Sequence, residues 1–190
     1  MALKAHPHFG EIKQAVARFS KKGKALSRVC YRCTEPQYAD QIVSGLGSQL
    51  HGARWTPKGS FPTVYLCDTV EAALQEYLAR ARRMRIPDHR SLPMVMAGIK
   101  IRVSNLLDLT EAEVAAAVEP FLAAEKIHWR AIQDRREAVS KAIGRAAAEI
   151  CFSGLIVPSR ASPDCKTIVI FPNKLKALEL LSAPSLRPLA

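Results

Sequence analysis

Apolar positions along this 190-residue chain fall into two rhythms, one helical and one strand-like. In residues 10–21 (GEIKQAVARFSK), Ile12, Val16 and Phe19 recur at helical spacing with Ala15 beside them. The spacing predicts a short amphipathic helix, closed by Lys21-Lys22-Gly23-Lys24. Residues 28–33 read as the first core strand. From 34 to 60 the chain is polar, with glycines at 45, 47, 52 and 59, which predicts a long loop carrying one helical turn near 39–43. A second apolar strand follows over 63–67. Asp68 or Thr69 then caps a helix running to about residue 84, with Leu74, Tyr77, Leu78 and Ala81 along one side. Residues 94–103 alternate Ile99, Ile101 and Val103 with Lys100 and Arg102, a β pattern. Residues 111–149 are rich in Ala, Glu and Arg and predict helix interrupted at Pro120. Two short apolar strands at 154–158 and 167–171, a closing helix at 173–181 and a loose tail at 182–190 complete the chain.

The strands are separated by helices without regular βαβ repetition. Neither a Gly-x-Gly-x-x-Gly nor a Walker pattern is present, so a Rossmann site and a P-loop are unsupported. The expected architecture is α+β, a mixed, largely antiparallel sheet with flanking helices. The expected organisation is a basic helical extension over 1–27, one domain over 28–181 that includes a helical segment at 111–150, and a tail over 182–190.

Hydrophobic residues make up 48% of the chain, enough for a sizeable core. No apolar stretch approaches the roughly 20 residues a bilayer span needs. Met1-Ala2-Leu3-Lys4-Ala5-His6-Pro7-His8 is followed by no apolar core of a signal peptide, so a soluble cytoplasmic protein without membrane contact is expected. The five cysteines then read as reduced thiols. Cys30-x-x-Cys33 lacks a second ligand pair for zinc and lies in a strand, where residues three apart face opposite sides. Net charge is +11, concentrated in Lys4, Lys13, Arg18, Lys21, Lys22, Lys24 and Arg28 and again in Arg80, Arg82, Arg83, Arg85 and Arg90. Such charge suits nucleic acid, an acidic protein partner or a nucleotide phosphate, and equally a solvated basic face.

A few polar residues stand out among the apolar runs. Arg32, between apolar neighbours in a strand, either faces solvent or forks onto phosphate oxygens. Arg54 and Trp55 sit in Gly52-Ala53-Arg54-Trp55-Thr56-Pro57-Lys58-Gly59, where small residues let backbone approach a ligand, or simply turn the chain over the core. Tyr65 is the polar-tipped residue of Val64-Tyr65-Leu66, where plain packing also suffices. Glu76 lies mid-helix, free for chemistry or paired with Arg80 at i, i+4. Ser159 follows Pro158 at a strand end, a site residue or a turn residue.

As an ordered set these residues resemble the RES domain of bacterial RES–Xre toxin–antitoxin modules. Tyr31-Arg32 resembles the family's opening strand arginine, and Gly52-x-Arg54-Trp55-Thr56-Pro57-x-Gly59 its glycine–arginine–tryptophan loop. Val64-Tyr65-Leu66 with Ala72-Ala73-Leu74-Gln75-Glu76 is similar to its tyrosine strand and glutamate helix. Leu107-Asp108-Leu109, Gly144-Arg145-Ala146, Gly154-Leu155-Ile156-Val157-Pro158-Ser159-Arg160 and Ile168-Val169-Ile170-Phe171 match later motifs, and Ser140-Lys141 stands where the family has threonine–glutamine.

The resemblance implies an ADP-ribosyltransferase-like fold and a toxin that inhibits growth by consuming NAD as substrate, with no metal. It implies catalytic roles for Glu76, Arg32, Tyr65 and Ser159, and NAD binding by Arg32, Arg54, Tyr65 and Ser159. Glu76 would stabilise positive charge on the ribose, the arginines would hold the pyrophosphate, Tyr65 would pack on nicotinamide, and Ser159 would bond the amide, the ribose or Glu76. The acceptor of ADP-ribose stays open among a protein side chain, phosphate and water, with a lean toward protein. The implied partner is an Xre-type helix-turn-helix antitoxin, through which DNA would be contacted, and the implied assembly is a homodimer or a hetero-oligomer with that antitoxin. The competing class, suggested by charge alone, is a nucleic-acid-binding or RNA-cleaving protein.

Overall fold

The computed structural model describes residues 4–183, apart from 133, 134, 161, 163 and 178 and the side chain of residue 88. The first helix, α1 (Phe9–Ala17), buries Ile12 and Val16, and Phe19 in the turn beyond it is 2% exposed. Two long strands, β1 (Lys24–Thr34) and β3 (Val95–Asp108), pair antiparallel over most of their length, Thr34 opposite Val95 and Leu26 opposite Val103. Between them come α2 (Leu46–His51), β2 (Val64–Cys67) and α3 (Val70–Arg83). After β3 follow α4 (Ala112–Ala124), α5 (Trp129–Ile132), α6 (Val139–Glu149), β4 (Gly154–Pro158), β5 (Lys166–Ile170) and β6 (Leu180–Ser182).

The sheet runs β1-β2-β5-β4-β3-β6, and the additional β1–β3 pairing joins its first strand back to its fifth. Among the described strands only β3–β4 is parallel. The expected mixed, largely antiparallel α+β architecture is what forms.

Period-two alternation divides the core. Cys30, Val64, Leu66, Ile99, Ile101, Ile156, Ile168 and Ile170 fill one face of the curled sheet. Leu107, Leu155, Val157 and Val169 on the other face pack against Ile12, Val16 and Phe19 and against Ala142, Ile143 and Ala146 of α6. A smaller cluster forms where Ala72 and Ala73 of α3 lie on Cys67, with Tyr31 and Cys33 beside them. Cys30 and Cys33 therefore belong to different clusters, and burial raises both thiols to a pKa of about 11.

Several expectations are corrected. Among the described residues of 173–181 the expected closing helix is replaced by the end of a 3-10 turn, Pro172–Lys174, and the start of β6. β4 covers only Leu106–Asp108 of its neighbour, and the open edge at Lys100–Arg102 is taken by β6. Glu179 fixes that return, accepting hydrogen bonds from the Ser104 N–H at 2.6 Å and the Ser153 hydroxyl at 2.9 Å. An edge strand's unpaired donors and acceptors outweigh the helical preference of a Leu-Lys-Ala-Leu-Glu stretch. Ser182, assigned to the tail, belongs to β6, and residues 184–190 lie outside the described residues. Pro120 does not interrupt its helix: it is exposed, the loss is one backbone hydrogen bond, and α4 continues to Ala124. The expected loop at 34–60 holds a short 3-10 helix, Pro36–Gln41, and the added helix α2. No helix among the described residues is long and apolar enough to cross a membrane.

The exit of β3 is fixed by Asp108. Its Oδ1 accepts from the Thr110 N–H at 2.9 Å and hydroxyl at 2.6 Å, and its Oδ2 accepts from Lys24 Nζ at 2.8 Å. Burial pushes the carboxyl up, but those hydrogen bonds outweigh it and hold it below its ordinary range. Because Phe19 sits in the main cluster, Phe19→Ala is expected to cost about 3–5 kcal/mol. It should lower the urea midpoint of the whole chain in one transition; a midpoint that stays put would mean the N-terminal helix adds nothing to the core.

Candidate functional site

β1 meets β2 at one register pair, Tyr31 opposite Cys67. Antiparallel geometry puts Arg32 and Tyr65 on the same side of that pair, where the strands part. A cleft of about 690 Å³ opens there. One wall is α3, started by Thr69, whose side chain accepts from the Ala72 N–H. Ala73, Glu76, Tyr77, Arg80 and Arg83 of α3 line the cleft at spacings of three and four, as one helix face must. The Gly52–Trp55 turn makes a second wall, and His128, Trp129 and Arg130 a third.

The cleft brings together Arg32, Arg54, Tyr65 and Glu76 as lining residues. Ser159 lies behind the wall, 6% exposed, and its hydroxyl donates to Glu76 Oε1 at 3.1 Å. Ser159 is itself held by its N–H to the Cys165 carbonyl at 3.0 Å. The i, i+4 pairing of Glu76 with Arg80 does not form; Arg80 reaches Glu35 at 3.7 Å instead.

Arg32 Nη1 is buried and makes no hydrogen bond to any described residue. Burial, reinforced by neighbouring Arg80, pushes the Arg32 guanidinium below its ordinary pKa. A buried donor left unsatisfied costs about 1–3 kcal/mol, more for a charged group, so the fold maintains this arginine at a loss that a bound anion would reverse. Arg54 is likewise pushed down by burial and then by Arg160, with Tyr65 and Glu76 opposing; its guanidinium lies 5.0 Å over the Trp55 ring.

Tyr65 is half-buried, with its hydroxyl enclosed. It accepts from the Trp55 N–H at 3.0 Å and lies 3.2 Å from Thr56 Oγ1. Burial pushes the phenol up to about 12, against the opposing effect of those hydrogen bonds. Thr56 Oγ1 donates to Thr63 Oγ1 at 2.8 Å, and Ala53 and Thr56 exchange backbone hydrogen bonds. The Gly52–Thr56 stretch is thus a seated turn.

Two glycines permit that seat. Gly52 has φ 72°, and a Cβ there would come 3.1 Å from Lys141 Nζ and 3.2 Å from the Lys58 nitrogen. Gly144 of α6 passes under the turn so closely that a Cβ would fall 1.8 Å from the Trp55 carbonyl oxygen.

Sequence reasoning missed three contributors and noted a fourth, Lys141, only as a departure from the family's pattern. His128, Trp129 and Arg130 come from the helical segment that matched no motif, and Lys141, fully buried, stands with its Nζ 5.1 Å from the Trp129 ring centre. Arg80 and Arg83 were visible as charge, and their spacing from Glu76 puts them on its face. Trp129-Arg130, an aromatic next to a cation, was the readable signal for α5.

A family model described as the RES domain matches residues 29–188. The NAD(+) phosphorylases MbcT of Mycobacterium bovis and of Mycobacterium tuberculosis are each 30% identical over 138 residues, which covers 70% of this chain and 68% of theirs. The crystal structure of the M. tuberculosis MbcT–MbcA toxin–antitoxin complex superposes with a TM-score of 0.69 over 91% of each chain at 22% identity, a likeness of fold.

Gly144→Ala is expected to unseat the Arg54-Trp55 turn, lowering stability by about 1–3 kcal/mol. Tryptophan emission should shift to the red as Trp55, 3% exposed, moves outward. Unaltered emission with unaltered melting would mean that the close approach does not hold the turn.

Proposed function

The chain belongs to the RES domain family, and on that footing we propose that it is an enzyme that breaks the nicotinamide–ribose bond of NAD and passes ADP-ribose to an acceptor, as the toxin of a toxin–antitoxin pair. The observation that carries this reading is the buried, unsatisfied Nη1 of Arg32 in the same cleft as Arg54 and the serine-held carboxylate of Glu76. The relatives' name, NAD(+) phosphorylase, supports NAD as the substrate.

Arg32 and Arg54 take the pyrophosphate, each guanidinium presenting two parallel N–H donors. That anchoring fixes the nicotinamide ribose near Glu76, so binding energy from the remote phosphates serves orientation. As the C1″–N bond lengthens, its electron pair goes to the pyridinium nitrogen, nicotinamide leaves neutral, and C1″ gains positive charge. The carboxylate of Glu76 attracts that charge more strongly than it attracts the substrate. At about 4 Å and an effective dielectric near 20 the interaction is worth about 4 kcal/mol, roughly a thousandfold in rate. Ser159 acts through Glu76, holding one carboxylate oxygen in place. Tyr65 seats the Arg54 turn and offers its ring to nicotinamide.

For the acceptor we place inorganic phosphate ahead of a protein side chain or water, in line with the relatives' name. The protein acceptor toward which the sequence leaned gains no support from the cleft. An antitoxin partner is proposed from the MbcT–MbcA complex, with an acidic segment suited to the arginine-lined cleft; a helix-turn-helix of Xre type would carry any DNA contact. Arg80 and Arg83 line the same cleft, so that part of the positive charge is accounted for by an anionic small molecule without invoking nucleic acid.

Glu76→Gln keeps an acceptor for the Ser159 hydroxyl and removes the charge. It is expected to retain the melting temperature and to lose about a thousandfold of nicotinamide release; undiminished release would sink the assignment. Arg32→Ala should raise the KM for NAD by about 10- to 100-fold, read by initial rates with NAD varied. An unaltered KM would remove Arg32 from the pyrophosphate site.

A further inference from the structure

We propose that Arg130 and Arg160, with Arg83 beside them, form a second anion subsite in the cleft, where the attacking phosphate is held against the ribose. The inference rests on the NAD-cleaving reading above and names the residues that choose the acceptor.

The guanidiniums in the cleft exceed what NAD can use. Arg32 and Arg54 suffice for a pyrophosphate, and Arg80 faces Glu35. Arg83, Arg130 and Arg160 remain, from three separate elements, and none of them pairs with a carboxylate among the described residues. Like charges gathered from separate elements repel unless an anion lies between them.

The arrangement is also built. Arg130 rides on the Trp129 ring at 4.7 Å from its centre, and the buried Nζ of Lys141 lies 5.1 Å from the same centre. His128 stacks on Trp129 with centroids 5.7 Å apart. Arg160 Nη1 donates to His128 Nε2 at 3.1 Å, so the β4–β5 connection and the α5 segment are tied together through one imidazole. That imidazole is pushed below its ordinary pKa by burial and then by Arg160, Arg130, Arg54 and Arg83, which keeps it a neutral acceptor at neutral pH. Arg130 is pushed down by burial and then by Arg83, Arg160 and Arg80, while Glu76 opposes. Glu76 and Arg130 line the same cleft, so a phosphate held by Arg130 shares the space in which Glu76 meets the ribose. Arg130 and Arg160 are exposed to solvent, so a free dianion can enter.

The step balances without a further reactant. A phosphate oxygen forms a bond to C1″ as the C1″–N bond breaks, and the bonding pair leaves with neutral nicotinamide. The phosphate keeps its proton until the product, ADP-ribose 1″-phosphate, is free in solvent. Arg130 and Arg160 offset the repulsion between the incoming dianion and both Glu76 and the NAD pyrophosphate. Water needs no such charge, so the subsite favours phosphate over hydrolysis.

The test varies phosphate at saturating NAD, and NAD at saturating phosphate, for the wild type, Arg130→Gln, Arg160→Gln and the double variant, each checked for an unaltered melting temperature. The single variants should raise the KM for phosphate by about 10- to 100-fold and move the KM for NAD by less than about twofold. The double variant should shift product from ADP-ribose 1″-phosphate toward ADP-ribose, and Arg160→Lys should restore part of the phosphate affinity. Equal shifts in both KM values, or an unaltered KM for phosphate, would overturn the subsite. Nicotinamide release that ignores phosphate would overturn it too, while leaving NAD cleavage intact. If no condition releases nicotinamide, the NAD reading itself fails. The subsite is then decided by phosphorus NMR of inorganic phosphate with the protein: line broadening lost in the double variant supports it, and no broadening overturns it.

Discussion

β1 runs beside β3 from Lys24 to Thr34 but touches β2 at Tyr31 and Cys67 alone, and the cleft follows from that mismatch. Two strands that part after a single pair leave their next side chains with no neighbour across the gap. The sheet survives the opening because β1 is held along its other edge and β2 is held along β5 from Val64 to Cys67. The small side chains of Ala72 and Ala73 let α3 settle close to the seam, against Cys67 and beside Tyr31 and Cys33. A larger residue at either position would lift the helix and carry Glu76 away from Ser159. The chemistry-bearing face of α3 is thus set by two methyl groups one turn before it.

A cleft that gathers guanidiniums works against folding, and the protein offsets this in recognisable ways. Arg54 lies over Trp55 and Arg130 over Trp129, aromatic faces that favour a cation by about 0.5–2 kcal/mol each. Arg80 reaches Glu35, and Arg160 leans on a neutral imidazole. Arg32 has no such relief at Nη1. The residual cost is the stability that a binding site gives up to be ready for its ligand, since groups arranged in advance need no reorganisation when charge develops.

Legibility in the sequence followed how local each element's cause was. β2, β4 and β5 are short apolar runs between polar punctuation, and α3 carries its cap at Thr69 and its periodicity in full view; all four stand where the pattern put them. β6 was hidden because its cause is an edge of β3 that the short β4 fails to cover, a fact of tertiary structure. α2 was hidden by its two glycine neighbours, Gly45 and Gly52, which bound a helix as readily as they mark a loop. At the site, residues embedded in apolar strands declared themselves, since Arg32 and Tyr65 interrupt a pattern. Arg160 entered as the last residue of the Gly154–Arg160 motif, without a role of its own, and Arg130 and His128 stayed hidden because they lie in a polar stretch where one more cation breaks no rule. Their convergence depends on α5 folding back over the cleft, and nothing local encodes that.

α6 explains how that fold-back is supported. Nearly the whole helix is buried, and it packs on α1 and on Leu155, Val157 and Val169 of the sheet. From this fixed position one face of the helix meets both walls, Gly144 lying against the Trp55 carbonyl and Lys141, one turn earlier, holding its Nζ 5.1 Å from the Trp129 ring centre. The two walls of the cleft farthest apart in sequence, the Gly52–Trp55 turn and the α5 segment, therefore rest on one helix three residues apart. Just before it, buried Glu137 accepts two hydrogen bonds from Arg145, at 2.8 and 2.7 Å, and one from the His6 N–H at 3.0 Å, tying the N-terminal segment to the same element. A shift of α6 by even part of an ångström would move both walls at once. The stability of the core and the spacing of the anion-binding groups are consequently one property of this fold, because a close-packed interior transmits displacement rather than absorbing it.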